Sequence, residues 1–206
     1  NIYSSAVNIA ETLNLTSSDH CYNIMPLFHI HGLIAILSSS IYAGASVYTS
    51  VGFNALSFLD KAKKENISWY SGVPTMHQGI LMRAKKNMEQ AKNLSLRFIR
   101  SSSASLPPAV FEELIDVFKA PVIEAYGMTE ATHQMTSNPI PPEIQKAGFV
   151  GKPAGPDVCI MDIDGNKLEF GSEGEVCIQG DNVMHGYENN EEANKSSFTN
   201  GWFRTG

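Results

Sequence analysis

Over the first 145 residues, short apolar runs alternate with longer segments whose apolar residues recur at helical spacing. Few architectures accommodate that alternation: it predicts an α/β fold, with parallel strands joined by crossover helices. Candidate strands are His20 to Met25, Ala45 to Tyr48, Ile67 to Tyr70, Leu96 to Arg100 and Val122 to Tyr126. The clearest helix is expected from about Pro107 to Phe118, where prolines suit a first turn and Val110, Leu114 and Val117 share one face. After Pro139 the pattern changes. Pro141-Pro142 interrupt the chain, and Asp157 to Asp162, a turn at Asp164-Gly165 and Gly174 to Gly180 read as β elements. The expected division is therefore 1–145, α/β, and 146–206, a smaller β subdomain packed on it.

Composition narrows the function. With 43% hydrophobic residues the chain can bury a sizeable core, and a net charge of -6 with only short lysine clusters leaves no footprint for nucleic acid. The longest apolar stretch, Gly32 to Ala45, is broken by three serines and falls short of the roughly 18 residues that a membrane span requires. The cysteines Cys21, Cys159 and Cys177 lie far apart and read as small buried residues rather than a metal cluster or disulfide framework. Phe111, Phe118, Met25 and Met82 read as core, His20 and His77 as surface or structural, and Gly151 to Gly155 as a turn entering the β subdomain. A zinc site from His29, His31 and His77 is disfavoured, because no Cys or carboxylate falls at ligand spacing.

The stretch Val122 to Glu130 is the most informative about chemistry. An apolar strand runs into a glycine turn that bears a hydroxyl and a carboxylate, and ligands of parallel sheets bind at the carboxyl ends of the strands. There Tyr126 can face a base, Thr129 can bond a phosphate, and Glu130 can offer an oxygen to Mg²⁺. The same residues also admit a structural reading, with Tyr126 in the core, Thr129 capping a turn and Glu130 in solvent.

Tyr126-Gly127-Met128-Thr129-Glu130 resembles the signature of the adenylate-forming superfamily of acyl-CoA synthetases. Pro26 to Gly32, Gly72 to Thr75, Arg100 to Leu106, Gly174 to Gly180 and Gly201 to Gly206 resemble further motifs of that superfamily, in its order. Ser103 to Leu106 and Thr129 to Pro139 are similar to its oxalate-CoA ligase branch. The resemblance implies ATP-dependent activation of a small carboxylic acid, oxalate by preference, to an acyl-adenylate and then, with coenzyme A, to an acyl-CoA. It implies Glu130 as the Mg²⁺ carboxylate and Thr129 as a contact of the α-phosphate. Ala104, Ser105, Glu124, Ala125, Tyr126 and Gly127 would line the nucleotide cleft, and His29, His31, Ser103 and His133 would border the acid. Where the superfamily has a small Gly/Ala-Pro pattern, this chain has Ser102-Ser103-Ala104-Ser105, which adds hydroxyl groups.

A long fatty chain would leave these polar groups unpaired at a cost of about 1–3 kcal/mol each. A second carboxylate would instead pair with hydroxyls and imidazoles, in either charge state of the rings. Medium-chain or aromatic acids, and a non-catalytic binding module, stay open as alternatives. The chain opens on Asn1 and closes on Gly206, and reads as a piece of a longer protein. The phosphate loop, a ribose-binding aspartate and the C-terminal lid of the superfamily have no counterpart in it, so the chain alone is expected to lack ligase activity. A cytoplasmic or a peroxisomal location fits equally.

Overall fold

The computed structural model describes residues 1–206, arranged as two sheets with helices on both faces of the larger one. In chain order the elements are α1 (Ile2–Thr12), β1 (His20–Asn23), a π-helical segment (His31–Ser38) running into α2 (Ser39–Tyr42), β2 (Ser46–Thr49), α3 (Ala55–Lys64), β3 (Trp69–Gly72), α4 (Pro74–Ala84), α5 (Met88–Lys92), β4 (Phe98–Ser101), α6 (Pro108–Phe118) and β5 (Val122–Met128). A single 3₁₀ turn (Thr129–Ala131) then leads into β6 (His133–Ser137) and β7 (Lys152–Pro153). The chain finishes with β8 (Asp157–Met161), β9 (Glu175–Gln179), α7 (Glu191–Ser197), β10 (Phe198–Thr199) and β11 (Trp202–Arg204).

The larger sheet has the order β2-β1-β3-β4-β5-β6-β7, parallel from β2 through β5 and antiparallel at β6 and β7. Its parallel strands are apolar on both faces, as a doubly covered sheet requires. Tyr22, Tyr70, Ile99 and Val122 point to a core closed by α3, α4 and α6, which contribute Phe58, Leu59, Ile80, Leu81, Phe111, Leu114 and Val117. Cys21, Trp69, Phe98 and Ile123 point the other way, onto Ile9 and Leu13 of α1 and Ile34 and Ile36 of the π-helical segment. The smaller sheet, β10-β11-β9-β8, is antiparallel throughout, and Ile178 and Phe203 pack with Met135 and Ala131 of the larger unit.

The expected architecture is present, with strand ends displaced by one or two residues. Two expectations are corrected. Gly151 to Gly155, expected as a turn, contains the two-residue strand Lys152–Pro153, which pairs with β6 at the edge of the larger sheet, and the strands of the antiparallel layer begin at Asp157. Met82 is 70% exposed on α4 and takes no part in the core, whereas Met25, Phe111 and Phe118 are buried.

One backbone constraint locates the site. β5 and β6 share a register shift between Tyr126 and Gly127, and the return strand begins with Thr132 and His133 at positive φ (49° and 97°). A Cβ on Gly127 would lie 1.6 Å from the carbonyl oxygen of His133, so only glycine lets the two strands meet there. Gly127→Ala is expected to destabilise the complete protein by about 3 kcal/mol or more in urea unfolding; a change under about 1 kcal/mol would show that the strands can part without cost.

Candidate active site

The side chains facing α1 and the π-helical segment change character along the strands. One row across β1, β3 and β4 is Cys21, Trp69 and Phe98; the next row in register is Asn23, Ser71 and Arg100. The apolar floor of the sheet thus ends in a polar row at the carboxyl ends of the strands, where ligands of such sheets bind.

Arg100 is fully buried, yet no carboxylate pairs with it. Its Nη2 donates to Gln134 Oε1 at 3.1 Å, its Nη1 approaches Ser71 Oγ at 3.4 Å, and its Nε has no partner. Burial lowers its pKa to about 10, which still leaves it charged at neutral pH. A buried guanidinium with only neutral partners carries a desolvation cost of several kcal/mol that an arriving anion would offset. Three residues earlier, Arg97 forms a 2.9 Å ion pair with the buried Asp19. The chain therefore supplies a counter-ion to one arginine of this segment and withholds it from the other.

His31 and His133 stand beside Arg100. The π-helical segment puts His31 Nε2 2.6 Å from Ser71 Oγ and Nδ1 3.0 Å from Ser103 Oγ, and the two imidazole centroids are 5.2 Å apart. Gly32 permits this placement, since a Cβ there would lie 2.4 Å from the Pro26 carbonyl oxygen. Burial and then the adjacent Arg100 hold both imidazoles well below the ordinary histidine pKa, so they are neutral at pH 7. The Nδ1 of His133 is buried without a partner. Positive charge at this end of the sheet thus comes from Arg100 and not from the imidazoles. His29 is exposed, and its Nδ1 accepts from the His31 backbone N-H at 3.1 Å.

Alongside lies a cavity of about 310 Å³ lined by Ser101, Ser103, Ala104, Ser105, Glu124, Ala125, Tyr126, Gly127, Gly148 and Val150. It brings together the six residues expected around a nucleotide other than Thr129, with Ser103 between them and His31. Thr129 opens the 3₁₀ turn beyond the lining and is exposed. Glu124 accepts from the Gly148 N-H at 2.9 Å, and Ser102 donates to the Ala125 carbonyl at 2.8 Å, tying the loop after β4 to β5. Burial raises the Glu124 pKa. Glu130, on the same turn as Thr129, accepts from the Tyr187 hydroxyl at 3.0 Å.

No cluster of three or more metal-ligating side chains is present, and no helix is long and apolar enough to cross a membrane. Of the two readings given to His77, the structural one holds: it is buried, with Nδ1 3.3 Å from the Tyr70 hydroxyl. Sequence reasoning missed Arg100, Ser71 and Gln134. The available signal was a charged residue following Phe98-Ile99 in a strand expected to be covered on both faces.

Residues 1–188 match the AMP-binding enzyme family. The chain is 50% identical over 209 residues to an oxalate-CoA ligase of Arabidopsis thaliana, covering 100% of this chain and 40% of that protein. It is 48% identical over 208 residues to an oxalate-CoA ligase of Saccharomyces cerevisiae, covering 100% and 38%. The structure of an o-succinylbenzoate coenzyme A synthetase of Bacillus subtilis in complex with ATP and magnesium ion superimposes with a TM-score of 0.87 at 33% identity, covering 100% of this chain and 42% of that one. The chain spans about 40% of the length of these relatives.

The buried imidazoles make a pH signature. The pKa of His77 falls to about 4 through burial, and those of His31 and His133 lie well below 6.5. As pH drops below about 6.5 the unfolded chain takes up protons that the folded histidines refuse, so stability is lost, by up to about 1.4 kcal/mol per pH unit per group. The raised Glu124 pKa acts in the opposite sense at lower pH. Thermal midpoints of the complete protein should fall from pH 7 to pH 5, and His77→Phe should flatten that slope; an unaltered slope would mean that His77 takes up its proton as readily folded as unfolded.

Proposed function

Because the chain belongs to the AMP-binding enzyme family, we propose that it forms the acid site and part of the nucleotide cleft of an ATP-dependent acid-CoA ligase whose substrate is a short dicarboxylate, oxalate by preference. The observation that carries the reading is the buried guanidinium of Arg100, without a counter-ion, beside His31 and His133, with Ser103 bonded to His31. A dicarboxylate has one carboxylate to react and one to spare. The spare one answers the uncompensated charge and takes hydrogen bonds from neutral imidazole and hydroxyl groups, which a monocarboxylate of similar size leaves unmet. The naming of two relatives near 50% identity as oxalate-CoA ligases supports the same acid.

The reacting carboxylate needs no general base, since carboxyl groups ionise near pH ~4. In this reading it attacks the α-phosphorus of ATP and pyrophosphate departs; the thiol of coenzyme A then attacks the acyl carbonyl and AMP departs. The chain's part is alignment and charge. The cavity beside Tyr126, with Ala104, Ser105, Glu124, Ala125 and Gly127 in its wall, receives the base and ribose, and Thr129 donates its hydroxyl to the α-phosphate. Ser103 lines the cavity and is bonded to His31, and in this reading it orients the reacting carboxylate toward the phosphate.

The donor set suits Mg²⁺ held jointly with a substrate: the turn offers the single carboxylate of Glu130 and the adjacent Thr129 hydroxyl, and Mg²⁺ in such sites takes one or two carboxylates with phosphate oxygens. When bound there it would neutralise phosphate charge. The Tyr187 hydroxyl donates to the Glu130 carboxylate at 3.0 Å and holds it in place.

Pyrophosphate release by the complete protein with MgATP and coenzyme A should favour oxalate over malonate, hexanoate and 4-coumarate, by at least about thirtyfold in kcat/KM over the monocarboxylates. A preference for hexanoate or 4-coumarate would retain the ligase and refute the acid site. No release with any acid would refute the ligase.

A further inference from the structure

We propose that Gln134 is a positioning residue for Arg100, one that aims the guanidinium without neutralising it and so sets the selectivity of the acid site for a doubly charged substrate. The inference rests on the acid site proposed above. Gln134 lies on β6, fully buried, with its amide fixed at both ends. Nε2 donates to the Ala154 carbonyl at 2.9 Å and to Thr12 Oγ1 at 3.2 Å. Ala154 offers only an acceptor, and the Thr12 hydroxyl spends its proton on the Asn8 carbonyl at 2.6 Å, so it too accepts. The amide cannot turn over without opposing two acceptors. Its oxygen must therefore face Arg100, which it meets at 3.1 Å.

A carboxylate at this position would be nearly the same shape and would give Arg100 an internal counter-ion. The chain has an amide instead, and the side chains around the guanidinium, Ser71, His31 and His133, are neutral as well. The nearby Glu124 is engaged by the Gly148 N-H and makes no ion pair with Arg100. Every contact of Arg100 within the chain thus directs it while leaving its charge for a ligand. Gln134 also couples that aim to α1 through Thr12 and to the segment that follows β7 through Ala154.

The measurement is steady-state kinetics of the complete protein with oxalate and with glyoxylate, a monocarboxylate of the same length, for wild type, Gln134→Glu and Gln134→Met, together with the KM for MgATP. In Gln134→Glu the oxalate-to-glyoxylate ratio of kcat/KM should fall by at least about thirtyfold, mainly through the KM for oxalate, while the KM for MgATP stays within about twofold. Gln134→Met, which removes the aim but adds no charge, should raise the oxalate KM by about tenfold and glyoxylate's by less. Should Gln134→Glu fail to fold, the methionine variant decides alone. Equal losses with both acids in either variant would reduce Gln134 to a packing role and overturn the proposal. A wild-type enzyme that prefers oxalate, with that ratio intact in Gln134→Glu, would overturn this proposal and leave the acid site standing; a wild-type enzyme indifferent to the second carboxylate would overturn the acid site itself, and this inference with it.

Discussion

A positive charge buried without a counter-ion is the constraint around which this end of the molecule is organised. Arg100 follows an apolar row, Cys21, Trp69 and Phe98, directly into the row Asn23, Ser71 and Arg100, so the sheet itself carries the charge to its ligand-binding edge. Leaving a guanidinium unpaired in a dry site costs several kcal/mol, which marginal stability does not tolerate without return. In the proposed acid site an anionic ligand offsets that cost. Ser71 and Gln134 orient the group with hydrogen bonds, the imidazoles of His31 and His133 stay neutral through burial and the proximity of Arg100, the buried Asp19 pairs with Arg97, and Glu124 is engaged by the Gly148 N-H.

Two unusual backbone features hold this arrangement. The π-helical segment His31–Ser38 delivers His31 between Ser71 and Ser103, with Gly32 pressed against the Pro26 carbonyl. On the opposite side, the register shift at Tyr126/Gly127 and the positive φ of Thr132 and His133 fold β6 back so that His133 and Gln134 face the same charge. Both departures from regular structure occur where side chains from distant parts of the chain must converge, as expected when local strain serves a site.

The sheet was legible because its strands alternate apolar partners for both faces, as in Trp69-Tyr70, Phe98-Ile99 and Val122-Ile123, and because helix-period segments separate them. The motif from Tyr126 to Glu130 and the loop from Ser103 to Ser105 were legible as residues of a ligand edge, and the structure places most of them around one cavity. β6 was not legible: His133-Gln134-Met135-Thr136-Ser137 shows no alternation, since it is covered by α1 through Gln134 and by the smaller sheet through Met135. Arg100 was hidden for a related reason. A charged residue at the end of a strand reads as a solvent contact until the π-helical segment and β6 are seen to cover it. The edge strand Lys152–Pro153 was not legible either, because two residues have no pattern of their own.

The central claim is that the charge of Arg100 is what the second carboxylate of the substrate binds. The most direct measurement is the KM for oxalate and the KM for MgATP in Arg100→Met of the complete protein, a replacement of similar length that removes the charge from an otherwise neutral setting. The oxalate KM should rise at least about thirtyfold, or about 2 kcal/mol, with the KM for MgATP within about twofold of wild type. An oxalate KM that stays within about threefold of wild type would contradict the claim.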